Sequence, residues 1–91
     1  MPSFVFADLA GFAAVTEAHG DAGAAELVRA FEALVRRTLP PGARLVKMIG
    51  DAAMIVTDDP CEAVCLARGL METAESLPGR PALRIGVHAG D

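Results

Sequence analysis

Residues 43–57, ARLVKMIGDAAMIVT, are two apolar runs, Ala43–Ile49 and Ala52–Thr57, separated by Gly50-Asp51. A Gly/Asp pair between two strand-like runs is a hairpin signal. Working upstream, Pro40-Pro41-Gly42 ends an amphipathic segment. In it Ala24, Leu27, Val28, Phe31, Leu34 and Val35 recur at helical spacing, with Glu26, Arg29, Glu32, Arg36 and Arg37 mostly opposite. Asp21 is positioned to cap this helix, and Gly20 stops a shorter helical stretch, Phe12–His19. Before that, Ser3–Leu9 is an apolar, Phe- and Val-bearing strand closed by Ala10-Gly11. Downstream, Asp59-Pro60-Cys61-Glu62 reads as a capped helix start. The expected apolar stripe of that helix is Val64, Ala67, Leu70, Met71, Ala74 and Leu77, and Leu77-Pro78-Gly79 is its stop. Leu83–Ala89 is a last strand.

The order is therefore β-αα-β-β-α-β, an α+β arrangement. Right-handed crossovers give a ferredoxin-like (palm-type) antiparallel sheet in the spatial order 4-1-3-2, with the helices on one face. The first three strands are apolar on both faces, a pattern that goes with a sheet covered on both sides. A partner chain or further sequence is expected on the second face.

Composition excludes several classes of function. The chain has 91 residues, is 53% hydrophobic and 22% charged, and carries a formal net charge of −4. That is too apolar for a disordered chain, and without a basic patch it is a poor nucleic-acid binder. Two cysteines, Cys61 and Cys65, make no disulfide framework. The N-terminus has no signal-peptide pattern and no apolar run is long enough to span a membrane, so a cytoplasmic protein is expected.

The sheet order has a chemical consequence. Asp8 ends the first strand and Asp51 begins the third, which runs antiparallel to it, so the two carboxylates should meet at one sheet edge. Neighbouring carboxylates repel unless a cation lies between them, and Mg²⁺ takes such a pair while completing its shell with water and phosphate oxygens. Leu9-Ala10-Gly11-Phe12 forms a strand-to-helix turn whose N–H groups favour an anion. The plainer reading makes Asp8 a helix cap and Asp51 a turn residue. Lys47, the one lysine among eight basic residues, either snorkels to the strand edge or points across the open face toward a ligand.

FADLAGF (6–12) followed by KMIGDA (47–52) resembles the catalytic domain of the class III nucleotide cyclases, and GVHAG (86–90) resembles a third, less diagnostic segment. The resemblance runs over essentially all of residues 1–91. It implies conversion of ATP to 3′,5′-cyclic AMP and pyrophosphate in intracellular signalling. Two Mg²⁺ (or Mn²⁺) ions would be held by Asp8 and Asp51, with Leu9 contributing to the metal site. The Leu9, Ala10, Gly11 and Phe12 backbone would lie on the metal and triphosphate. Lys47 matches a purine-contacting position where lysine goes with adenine and glutamate with guanine. The family site lies between two domains, which implies a homodimer or pairing with a second cyclase domain.

Departures carry expectations of their own. Ala13 stands where the family often has Thr. Family domains are about twice this length, and the later purine-selecting residue, the Asn and the Arg that serve the transition state have no counterpart before Asp91. Arg80 and Arg84 precede the third segment and cannot be that arginine. The chain is thus expected to be a partial catalytic domain, lacking its C-terminal half and with little activity alone. The alternative is a catalytically inactive module that binds nucleotide or dimerises. An unrelated ferredoxin-like module requires the motifs to be coincidence, and a diguanylate cyclase requires a Gly-Gly-Asp/Glu-Glu-Phe signature the chain lacks. His88 reads as a core or turn histidine, His19 as a helix C-terminal residue, and Cys61 and Cys65 as buried small residues.

Overall fold

Alternating burial marks the first strand, β1 (Ser3–Leu9), as the centre of the molecule. Val5, Ala7 and Leu9 are almost fully buried, whereas Phe6 between them is 46% exposed. The computed structural model describes residues 2–77 and 81–90. After β1 come α1 (Phe12–Thr38), β2 (Arg44–Ile49), β3 (Ala52–Thr57), α2 (Pro60–Thr73), a 3-10 turn (Ala74–Ser76) and β4 (Leu83–Ala89). The four strands form one antiparallel sheet in the order β2-β3-β1-β4, as expected from the crossovers.

The two helical stretches read from the sequence run together as α1, but Gly20 breaks the helix with φ 73° and ψ −179°. Only glycine takes that backbone at little cost, so it separates the two stretches as anticipated. Beyond it, Ala24, Leu27, Phe31, Leu34 and Val35 are buried against the sheet. On the solvent side, Arg36 pairs with Glu32 at 2.9 Å, one helical turn away.

The stripe expected on α2 is corrected in part: Leu70, Ala74 and Leu77 are buried as expected, but Ala63 and Leu66 take the place of Val64 and Met71, which are 51% and 59% exposed. Both sets recur at helical spacing, and the sheet selects the one that includes the bulkier Leu66. Cys61 and Cys65 are exposed free thiols rather than buried residues, because they lie off the face that packs. The α2 cap is as read: the Asp59 carboxylate accepts from the Glu62 N–H at 2.9 Å, with Pro60 in the first turn. Asp59→Ala is expected to cost about 1 kcal/mol in a urea melt. The expected stop at Pro78-Gly79 lies outside the described residues, as do Arg80 and Asp91.

Both helices pack on the face of Val5, Ala7 and Leu9, where Ala53 and Ile55 of β3 complete the core. The opposite face is open and mixed, with apolar residues among charged ones. Ile49 and Phe6 are 57% and 46% exposed there, and Phe4, Met54 and Val56 are half-buried.

β2 reaches this arrangement through an irregularity. Leu45 pairs with Ile55 and Lys47 with Met54, so the register shifts between Leu45 and Lys47. Strand side chains alternate with period two, which would put Leu45 and Met48 on opposite faces. The extra residue in the bulge brings both to the core side and turns Lys47 to the open face beside Met54.

Candidate active site

The ladder pairings set out the open face in rows. In one row Ile49, Ala52, Asp8 and Arg84 lie side by side; the next holds Lys47, Met54, Phe6 and Gly86; the third holds Arg44, Val56, Phe4 and His88. Asp8 sits opposite Ala52, one residue past Asp51, so both carboxylates lie at the same end of the sheet. Lys47 lies one row away on the same face. Asp51 occupies the two-residue hairpin loop behind Gly50, whose φ of 59° lets the chain reverse between Ile49 and Ala52.

Asp8 does not cap α1. Gly11 stands at the helix start in the left-handed region, with no side-chain cap bond. Instead the Asp8 carboxylate accepts two hydrogen bonds from Arg84, from Nε at 3.0 Å and from Nη2 at 3.1 Å. This bidentate pair raises the Arg84 pKa, first through the hydrogen bonds and then through the Asp8 charge, with a further push from Asp51. Arg84 thus feels both carboxylates. The sequence reading missed this partner, although antiparallel pairing carried the signal: the register that sets His88 opposite Phe4 sets Arg84 opposite Asp8. His88 itself is exposed on the open face rather than in the core, four residues along β1 from Asp8. It projects from the face that the helices leave open.

Around Asp8 lies a solvent-open cavity of about 310 Å³, lined by Phe6, Asp8, Ala52, Arg84 and Gly86 among others. Gly86 leaves room there, since nothing lies within 4 Å of where a Cβ would stand. The Leu9 side chain is buried, so only its backbone could serve a ligand. The Ala10 N–H donates to the Ala82 carbonyl at 2.9 Å, which leaves anion contacts in this turn to the neighbouring groups.

The donor set suits a hard divalent cation. Two carboxylates at one sheet end, with a backbone carbonyl nearby, are oxygen ligands of the kind Mg²⁺ takes in phosphate chemistry. No cluster of three or more His, Cys, Asp or Glu that could hold a metal occurs among the described residues. The rest of a shell would come from backbone, water and nucleotide.

These features define a class, a palm-type domain with a carboxylate pair at the β1–β3 end, and comparison with known proteins narrows it. No family model matches the chain. Adenylate cyclase of Streptomyces griseus is 36% identical over 90 residues, 98% of this chain and 23% of that protein. Adenylate cyclase of Streptomyces coelicolor is 37% identical over 86 residues, again 23% of its length. The chain thus spans about a quarter of the curated relatives it matches. Among solved structures, a bacterial light-regulated adenylyl cyclase superposes with TM-score 0.83 at 18% identity, covering 94% of this chain and 51% of that one. A GGDEF domain from Pseudomonas aeruginosa gives TM-score 0.83 at 16% identity, covering 94% and 60%. Over nearly its whole length the chain is thus similar to a part of proteins named adenylate cyclase, and its fold is the one shared by adenylyl cyclase and GGDEF domains. Among the described residues, no helix is long and apolar enough to cross a membrane.

Proposed function

We propose that this chain is the metal- and adenine-binding part of an adenylate cyclase catalytic unit, completed by further sequence and a second cyclase domain in the cytoplasm. The observation that carries the reading is that Asp8 and the Asp51 hairpin lie at the same end of the sheet, while Lys47 stands on the open face, from which it would reach the adenine of a site shared with the second domain. Asp8 and Asp51 come from two motifs far apart in sequence, and antiparallel pairing sets them at one end of the sheet.

Asp8, Asp51 and the Leu9 carbonyl would hold Mg²⁺ or Mn²⁺, two ions per site. Bound metal supplies Lewis-acid stabilisation of phosphate charge and eases ionisation of the ribose 3′-hydroxyl. The Leu9–Phe12 turn and the start of α1 direct N–H groups toward the triphosphate. Lys47 presents donors and no acceptor, which matches the N1 acceptor of adenine and not the N1–H of guanine. The open face would receive the second domain. Attack of the 3′-oxygen on the α-phosphorus then closes the cyclic phosphate and releases pyrophosphate.

The test is the chain joined to the sequence that follows it in its gene, incubated with Mg²⁺ and either ATP or GTP, with cyclic product separated by chromatography. Cyclic AMP is expected. Lys47→Glu is expected to lower use of ATP by about 10- to 100-fold, the range for leaving a polar group of the site unpaired, and to improve use of GTP relative to it. Mg²⁺-dependent ATP binding without any cyclic product would favour the alternative, a nucleotide-binding module without turnover. The absence of both would sink the nucleotide reading.

A further inference from the structure

We propose that Arg84 is an internal cation that occupies the Asp8 carboxylate until a divalent cation displaces it. The inference rests on the metal-site reading of Asp8 and Asp51 above. Both Asp8 oxygens are engaged, Oδ1 by Nε at 3.0 Å and Oδ2 by Nη2 at 3.1 Å. A carboxylate forked in this way keeps one free lone pair on each oxygen, but it gives a metal both oxygens together only after the guanidinium leaves.

The geometry says which partner moves. Asp8 is held on β1 between two neighbouring strands, and its side chain is 33% exposed. The Arg84 side chain is 71% exposed, at the sheet edge, on the outer strand. Gly86 follows on the same face and leaves open space beside the pair. Arg84 can therefore swing into solvent without disturbing the core. Without a cation the Asp8 and Asp51 charges would repel, and Arg84 relieves this while the metal is absent. The pair thereby sets a threshold: the site loads only where the divalent cation outcompetes a charge built into β4.

Metal binding by the chain as it stands tests this, with no nucleotide and no turnover. Mn²⁺ titrations followed by electron paramagnetic resonance compare the wild type with Arg84→Gln, Arg84→Lys and Asp8→Asn. Arg84→Gln is expected to bind Mn²⁺ about two- to fivefold more tightly, the range set by an exposed ion pair. Arg84→Lys keeps the charge but loses the fork, so it should fall between the two. In the wild type, the Arg84 Nε–H resonance should lose its carboxylate-bonded shift as Mg²⁺ is added. Arg84→Gln binding no tighter than wild type while Asp8→Asn loses binding would overturn the latch alone. So would an Arg84 Nε–H resonance that keeps its shift at saturating Mg²⁺. Equal Mn²⁺ binding, or none, in the wild type and Asp8→Asn would overturn the latch together with the metal-site reading.

Discussion

Replacing Asp8 by alanine is expected to lower cyclic AMP production by at least about 100-fold. A metal ion stabilising phosphate charge supplies several kcal/mol, and each 1.4 kcal/mol is about tenfold in rate. The assay is that of the chain joined to its downstream sequence. The same change should abolish Mn²⁺ binding to the chain alone. Its effect on stability should stay within about 1 kcal/mol, because the bond lost is a solvent-accessible ion pair with Arg84. That separation matters: a variant that melts normally but neither binds metal nor turns over places Asp8 in the chemistry. Asp51→Ala should behave alike, since the loop position of Asp51 carries no core packing. If either variant kept full activity and metal affinity, the carboxylate pair would have no catalytic part.

Phe31→Ala is expected to cost about 3–5 kcal/mol and to leave no cooperative unfolding transition. Phe31 is fully buried where α1 meets the sheet, so truncation removes transfer free energy and opens a cavity. For a domain this small that is most of its stability, which typically lies near the low end of about 5–15 kcal/mol. Phe6→Ala is the matching control. Phe6 is 46% exposed on the open face, and its loss should shift a urea midpoint only slightly. Equal losses at the two positions would mean that the open face is covered in solution. The contrast therefore reports on both the core and the empty face.

Much of the fold is legible in the residues. The Gly50-Asp51 reversal, the Pro40-Pro41-Gly42 stop and the Asp59-Pro60 start are local chemistry, and local chemistry does not wait for tertiary contacts. The strand order followed from crossover handedness, and the sheet has it. The α2 face was read correctly at Leu70, Ala74 and Leu77 and missed at one flank, because Val64/Met71 and Ala63/Leu66 border that line on either side. Only the shape of the sheet beneath chooses between them. Cys61 and Cys65 fell on the exposed side for the same reason.

The site divides in the same way. Its candidate members came from FADLAGF and KMIGDA, and the shared sheet end of Asp8 and Asp51 followed from antiparallel pairing. The direction of Lys47 did not. Strict alternation along β2 would place Lys47 with Leu45 on the core side, and a bulge of one residue reverses this. Arg84 was legible by register, yet its fork on Asp8 depends on side-chain geometry across two strands.

By itself, then, the sequence determined the elements, their order and the chemical groups of the site, because caps, turns and apolar periods act over a few residues. The tertiary structure set which stripe of α2 is buried, which face Lys47 serves and which cation holds Asp8. Those outcomes turn on register and on packing between segments as far apart as Asp8 and Arg84, where a shift of one residue exchanges the faces of a strand.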